Sequence, residues 1–316
     1  MTEQRALAAY SLKTTRKTYG DGSMNFAALG RLKLVSYVAI LTIGVCMAIS
    51  FSGPASAAPY ISKQIRVEYE VPKNPAHRPI YERLKQVRAL ERLQTLLSPL
   101  RLPRPLLLKV SGCDGESNAW YEEGFVTVCY EFLADLLKNA LDQTLPSIIT
   151  QDDAILGPFM DVFLHETGHA VFDQLNVPVL GREEDAADLF SAYIMLQLGK
   201  EDARRLILGN AYQYKEDVVN PQVPLMKYSD EHGIPAQRFF NVLCLAYGAD
   251  QKLFADVVGK GYLPKQRAEG CDLEYEQVTF ALKTLIGPYI DRKLAKKVLA
   301  TWMRDVSARP KSQPAR

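Results

Sequence analysis

Alternating apolar residues begin the body of the chain. Every second residue from Ile65 to Val71 is apolar, which predicts a half-buried strand within residues 60–71. Two further apolar runs, 106–111 and 125–130, predict two more strands, and the turn-rich segment CDGESNAWYEEG lies between them. The N-terminal part of the body is therefore expected to form a small β-sheet.

Helical spacing dominates the remaining chain. Apolar residues at intervals of three and four predict helices over 79–97, 131–143, 158–175, 183–198, 236–248, 250–259 and 274–298. Proline suits the first turn of a helix, so the third of these is expected to begin at Pro158, directly after Gly157. A few strands followed by many helices indicate an α+β fold.

The first residues have the order of an export signal. Basic residues precede an uncharged apolar run, 34–51, and the small residues 55–58 follow it. This order predicts a secretory signal peptide over 1–57, with cleavage after Ala57 or Ala58; a true start at Met24 would give it a normal length. The alternative is a retained membrane anchor, because the run 34–51 is just long enough to span a bilayer. In both cases the body lies outside the cytoplasm, and cleavage would make it periplasmic or secreted.

The body shows no obvious linker and little net charge. We expect a single domain over 58–305 and a disordered tail over 306–316. The formal net charge is +2, and the first 57 residues hold six Lys/Arg against two Asp/Glu. The rest therefore carries 32 basic and 34 acidic residues, which excludes a polybasic nucleic-acid-binding surface. Membrane contact is expected only if the leader is retained, and the sequence predicts no oligomeric state.

Four of the five cysteines lie outside the leader, namely Cys113, Cys129, Cys244 and Cys271. An even number in an oxidising compartment predicts two disulfides. Of the three possible connectivities we favour Cys113–Cys129 and Cys244–Cys271, which join near neighbours. The first would link two predicted strands. Zinc binding by cysteine is the alternative, although the chain has no C-x-x-C pair.

The segment HETGH at 165–169 predicts a metal site. On a helix His165 and His169 are one turn apart on the same face, so both imidazoles can reach one ion. Glu166 lies about 100° around the helix, off the ligand stripe. Zinc lowers the pKa of a bound water towards about 7, and Glu166 would take the proton of that water as general base. The alternative is a pair of satisfied core histidines, but histidine is scarce here, with four in the whole chain.

The acidic segment GREEDAAD supplies a third ligand. Glu184 and Asp188 are i and i+4 and share one helix face, so Glu184 is predicted to bind the metal. Asp188 is predicted to accept the spare N–H of a ligand histidine, His165. Glu183 is the alternative ligand, and Asp185 is expected to face solvent.

The other two histidines differ in their expected roles. His232 is a candidate to stabilise the oxyanion of a tetrahedral intermediate, and Tyr228 and Arg238 are the other candidates. The alternative for His232 is a structural hydrogen bond or a position at the surface. His77 stands between prolines in KNPAHRP and is expected to be exposed in a loop.

Several segments together carry a family resemblance. HETGHAVFDQLNVPVLGREEDAADLF is similar to the Glu-zincin pattern, in which H-E-x-x-H is followed by E-x-x-x-D, although only 15 positions separate His169 from Glu184. Together with NAWYEEGFVTVCYE, DEHGIPAQRFFNVLCLAYG and LPKQRAEGCDLEYEQ, it resembles an exported bacterial family of metallopeptidases of undefined function over roughly 60–290. The resemblance implies a zincin-like fold and supports both cysteine pairings, but it does not supply a substrate. Zinc as cofactor rests on the H-E-x-x-H motif itself, and a peptide or protein is the expected substrate.

The expected function is therefore an exported zinc-dependent peptidase that hydrolyses peptide bonds with metal-activated water and Glu166 as general base. Two alternatives remain at this point. One is a non-catalytic, zinc-stabilised envelope or binding protein, and the other is a zinc amidase acting on a non-protein amide.

Overall fold

Four short apolar segments form one mixed sheet. The computed structural model describes residues 64–142, 148–215, 218, 224 and 228–301. The strands are β1 (Ile65–Tyr69), β2 (Leu106–Ser111), β3 (Ala119–Glu122) and β4 (Phe125–Cys129), in the order β1-β2-β4-β3. β2 pairs in parallel with β1 and β4, and β3 is an antiparallel edge strand on β4. Five apolar side chains of β2 and β4 are fully buried and place the core at the centre of the sheet, namely Leu106, Leu108, Val110, Val126 and Val128.

The crossover from β1 to β2 contains two helices where one was predicted. They are α1 (Arg78–Gln86) and α2 (Ala89–Leu97), and Arg88 between them has a φ of 53°. A left-handed residue cannot continue a right-handed helix, so the prediction of one helix over 79–97 was wrong. His77 precedes α1 and is buried against Tyr130, so the expectation of an exposed loop histidine was also wrong.

The strand β3 lies within the segment that was predicted to be a turn. It joins β4 through a hairpin of two residues, Glu123 and Gly124, which both have positive φ. Positive φ at both central positions is the geometry of a type I′ turn, and it matches the twist of the flanking strands. The three predicted strands are confirmed, and β3 is added at the edge of the sheet.

Nine helices follow the sheet within the described residues. They are α3 (Tyr130–Asp142), α4 (Gln151–Leu175), α5 (Glu183–Leu196), α6 (Lys200–Tyr212), α7 (Pro235–Ala249), α8 (Ala255–Gly259), α9 (Lys265–Ala268), α10 (Cys271–Leu285) and α11 (Arg292–Thr301). The α+β prediction is confirmed. Several details differ: α6 and α9 were not predicted, α8 is shorter than the predicted 250–259, and the predicted 274–298 divides into α10 and α11.

The central element is α4, of whose 25 residues 17 are buried. It begins seven residues before the predicted start at Pro158, because Thr150 and Asp153 cap each other's backbone N–H in a capping box. Pro158 therefore lies inside the helix. This longer helix reaches the unpredicted α6, and the two pack at Gly157 and Gly209 without intervening side chains.

Both predicted disulfides are present. Cys113–Cys129 joins the segment after β2 to the end of β4, and Cys244–Cys271 joins α7 to the first residue of α10. The predicted leader and the predicted tail lie outside the described residues. Among the helices of the described ranges, none is long and apolar enough to cross a bilayer.

The contact between α4 and α6 leads to a stability prediction. A Cβ atom added at Gly209 would overlap the backbone carbonyl of Asp153, which cannot move without displacing α4. We expect Gly209→Ala to destabilise the protein by about 1–3 kcal/mol, measured as a lower urea midpoint with an unchanged m value.

The matched control is Gly259→Ala in α8, where an added Cβ meets no atom within 4 Å. This variant should be neutral or slightly stabilising. Equal stability of the two variants would show that α4 and α6 do not approach each other as closely as described.

Candidate metal centre

Two helices cross at a glycine and bring the predicted site together. Gly168 of α4 faces Ala187 of α5, and a Cβ atom added to the glycine would lie 3.3 Å from the Ala187 Cα. The small residues allow the helix backbones to approach closely. The histidines of α4 and the acids at the start of α5 consequently face each other across the crossing.

Three side chains converge on one point. The Nε2 atom of His165 lies 2.9 Å from Glu184 Oε2 and 3.2 Å from His169 Nε2. The third separation, from His169 Nε2 to Glu184 Oε2, is 3.4 Å. In a tetrahedral site with bonds of about 2.0–2.1 Å, donor atoms lie about 3.3 Å apart. Two imidazole nitrogens and one carboxylate oxygen at these separations could hold a metal ion.

The second ring nitrogen of each histidine has a carboxylate partner. His165 Nδ1 lies 2.9 Å from Asp188 Oδ1, as predicted, and His169 Nδ1 lies 2.8 Å from Glu183 Oε1. Donation from Nδ1 leaves Nε2 as the free acceptor that a metal ligand needs. From the sequence, Glu183 and Glu184 were alternatives for the third metal ligand. In the structure both contact His169, Glu183 at Nδ1 and Glu184 at Nε2. Asp185, whose side chain is 37% exposed, pairs with Arg182.

Arg238 of α7 binds Asp188, the carboxylate that contacts the candidate ligand His165. Its Nε donates to Asp188 Oδ2 at 2.7 Å and its Nη2 donates to Oδ1 at 2.6 Å. The guanidinium also lies 5.0 Å from the centre of the Tyr214 ring, a cation–π contact. An arginine fixed on both sides orients Asp188, so it is poorly placed to reach an oxyanion, the alternative role considered for it.

The carboxylates make the site favourable for positive charge. Burial opposes a charged His165, but hydrogen bonds with Asp188 and Glu184 outweigh it and raise the pKa of this histidine to about 10. The pKa of His169 is also raised, because Glu184 and Glu183 outweigh its burial. Burial would raise the pKa of Glu184, but the three histidines that contact it lower this pKa instead. Either protons or a metal cation can supply the positive charge.

Glu166 differs from the other acids of the site. It is 7% exposed and lines the cleft, and it makes no hydrogen bond or ion pair with any described residue. Burial raises its pKa, against the attraction of His165 and His169. A buried carboxyl that lacks a protein partner is available to exchange a proton with a bound molecule.

His232 stands at the rim of the site. Its Nε2 lies 2.8 Å from Glu184 Oε2, and its ring stacks on that of His165 with centroids 5.9 Å apart. It is outside the group of three mutually close ligand atoms. Its side chain is 45% exposed, so it can meet a molecule that enters the cleft. Tyr228, an alternative to His232, is exposed and does not line the cleft.

The cleft has a volume of about 440 Å³, with α4 and the edge strand β3 among its walls. Two of its lining residues were not predicted, the buried Asp161 and the partly buried Tyr214. The Ser191 hydroxyl donates to Asp161 Oδ1 at 2.6 Å, and burial together with Asp188 raises the pKa of Asp161. Asp161 lies one helical turn before His165, so the i, i+4 rule that paired the histidines could have found it.

Comparison with known proteins agrees with this geometry. A family model described as "Putative metallopeptidase" matches residues 69–286, which include every residue of the site. The expected family is therefore confirmed. No curated protein and no solved structure matches the chain.

The contact between Arg238 and Asp188 gives a prediction on metal affinity. Arg238→Lys keeps the charge but cannot form two parallel hydrogen bonds, so Asp188 would orient His165 less well. We expect zinc affinity to fall about 10–100-fold, measured by competition with a chelating dye. Arg204→Lys is the control, because this arginine pairs with Asp256 at a similar exposure away from the site. Unchanged affinity in Arg238→Lys would contradict the positioning role.

The two neighbouring acids of α5 can be separated in the same assay. Glu184 contacts both Nε2 atoms, whereas Glu183 contacts only the outer nitrogen of His169 and its side chain is 52% exposed. We expect the loss of zinc affinity in Glu184→Gln to exceed that in Glu183→Gln by at least about tenfold. A larger loss in Glu183→Gln would exchange the two roles.

Proposed function

Because this chain belongs to the family of putative metallopeptidases, we propose that it is an exported, zinc-dependent peptidase with a zincin-like fold. His165, His169 and Glu184 would hold the ion, a His₂Glu donor set that catalytic zinc sites use. When bound, zinc would polarise the scissile carbonyl and lower the pKa of water at this place.

Glu166 is the observation that carries the proposal. Its carboxyl is buried beside the three ligands, faces the cleft and has no protein partner within the described ranges. The pKa of Glu166 is raised towards neutral pH. A general base that must later act as an acid is most effective when its pKa lies near the working pH. Glu166 would take a proton from the attacking water and pass it to the leaving amine.

The same surroundings favour an enzyme over a zinc-stabilised binding protein. A structural zinc site is closed by four protein ligands, whereas three ligand atoms group together here beside a cleft of about 440 Å³. His232 at the rim would donate a hydrogen bond to the oxyanion that forms on the attacked carbonyl. Asp230 would orient it, because the same carboxylate oxygen accepts from the His232 backbone N–H at 3.0 Å and lies 3.4 Å from the ring Nδ1.

The edge strand supports a peptide as substrate rather than another amide. Cys129 donates its backbone N–H to Asn118, so the hydrogen-bonded pairs of the β3–β4 ladder are Asn118–Cys129 and then Trp120–Thr127. The backbone groups of Tyr121 therefore point away from β4, and no described residue pairs with them. An extended peptide could add there as a further strand.

Export agrees with the cysteines. Two disulfides persist in an oxidising compartment and are rare in the cytosol. We propose that residues 1–57 direct the body out of the cytoplasm, with a peptide or protein as the substrate there.

Replacement of Glu166 by glutamine tests the mechanism. Glutamine has nearly the same shape but cannot accept the proton, so we expect Glu166→Gln to retain zinc and to lose at least about 100-fold in hydrolysis. Zinc content would be measured by elemental analysis and hydrolysis with a peptide library, with and without a chelator. Asp185→Asn serves as the control for loss of a nearby carboxylate, because Asp185 pairs with Arg182 rather than with a ligand histidine.

The result also separates the alternatives. Full activity in Glu166→Gln would refute the general-base role. If the unmodified protein binds zinc but cleaves no peptide, activity on a non-protein amide would indicate an amidase, and inactivity on both would indicate a zinc-stabilised binding protein.

A further inference from the structure

A second cavity lies behind α5, away from the candidate metal centre. It has a volume of about 410 Å³, within the range of ligand-binding pockets. Its wall on α5 is formed by Phe190, Tyr193, Ile194 and Gln197. At about 100° per residue these positions centre about 150° around the helix from the face that carries Glu184 and Asp188. The cavity is therefore separate from the cleft.

The walls are almost entirely apolar. α2 and the segment after it form one side, and α10 and α11 form another. The amphipathic helix α11 contributes Ala295, Val298 and Leu299, which are spaced to share one face. An apolar cavity of this size gains most from an apolar occupant.

The charges at this cavity have one sign. Among its described lining residues, Lys283 and Arg292 are the two that carry charge, and both are exposed. Neither forms an ion pair with a described acidic residue. No aspartate or glutamate is among the described residues that line the cavity. An anionic group beside Lys283 and Arg292 would meet two exposed cations without a described acidic partner, and the nearby Asp291 is already paired with Arg101.

We propose that this pocket binds a single-chain anionic amphiphile of the long-chain carboxylate class. The hydrocarbon chain would lie among α2, α5, α10 and α11, and the carboxylate would meet Lys283 and Arg292 at the mouth. A neutral apolar ligand would leave both cations without a partner, and a cationic one would be repelled. The inference concerns binding alone and does not depend on the proposed peptidase activity.

Dodecanoate is a suitable probe. Dodecyltrimethylammonium is the control, because it has a hydrocarbon chain of similar length and a head group of opposite charge. Calorimetry on the purified protein, below the micelle concentration of each compound, should show one saturable site for dodecanoate. The affinity for the cationic compound should be lower by at least about tenfold. Equal binding of both compounds, or no saturable binding of dodecanoate, would overturn the proposal.

Variants of the mouth and of the wall localise the site. Lys283→Glu/Arg292→Glu should weaken dodecanoate binding about tenfold. Lys293→Glu/Lys296→Glu should leave it unchanged, because these exposed residues of α11 do not line the cavity and the net charge changes equally. Ala295→Phe should abolish binding by filling the pocket, and circular dichroism would verify that each variant is folded. Equal affinity in the two charge-reversal variants would refute the assignment.

Other occupants would give different results, each of which overturns the proposal. Binding to phosphatidylglycerol vesicles without binding of free dodecanoate would indicate a bilayer surface. Dimerisation that Ala295→Phe abolishes would indicate a second copy of the chain. A chain shortened to end at Thr301 that binds dodecanoate, when the full chain does not, would assign the pocket to the residues after α11.

Discussion

The close crossing of α4 and α5 at Gly168 and Ala187 is the constraint on which the candidate site depends. Side chains near the crossing can meet only because Gly168, which has no side chain, lets the two helix backbones approach closely. His165 and His169 then share one oxygen of Glu184. The sheet and α6 contribute indirectly, because α6, β3 and β4 also pack against α4.

The crossing also concentrates negative charge, which needs local compensation. Glu183, Glu184 and Asp185 occupy the first turn of α5, where the helix dipole and the free backbone N–H groups favour anions. A capping preference and a ligand set therefore coincide in one short segment. Arg238 supplies the fixed countercharge on Asp188, and the histidines, carrying protons or a metal cation, supply the variable one. Repulsion among these acids would otherwise oppose the packing of α5 on α4.

Local spacing along the helices predicted the three candidate ligands and Asp188. It did not predict the role of Arg238, which depends on a long-range contact. The i, i+4 rule found both histidines, Glu184 and Asp188, because each pair lies on one helix. Arg238 reaches Asp188 across 50 positions with no local pattern to announce the contact. β3 has only four residues and Arg88 adopts a left-handed conformation without being glycine, so neither follows from periodicity. By contrast, the capping box at Thr150 was readable and would have corrected the start of α4.

The two faces of α5 divide its roles. One face carries Glu184 and Asp188 against α4, and the other carries Phe190, Tyr193 and Ile194 into the apolar cavity. A rigid helix transmits a shift of one face to the other, so the packing behind α5 helps to determine where the Glu184 carboxylate stands. Donor atoms 2.9–3.4 Å apart tolerate little displacement, because metal–ligand bonds vary by only about 0.2 Å. The helix that carries the third ligand is therefore also a wall of the second cavity, and Phe190 belongs to both environments, because it lines the cavity and packs on Gly168 and Phe172 of α4.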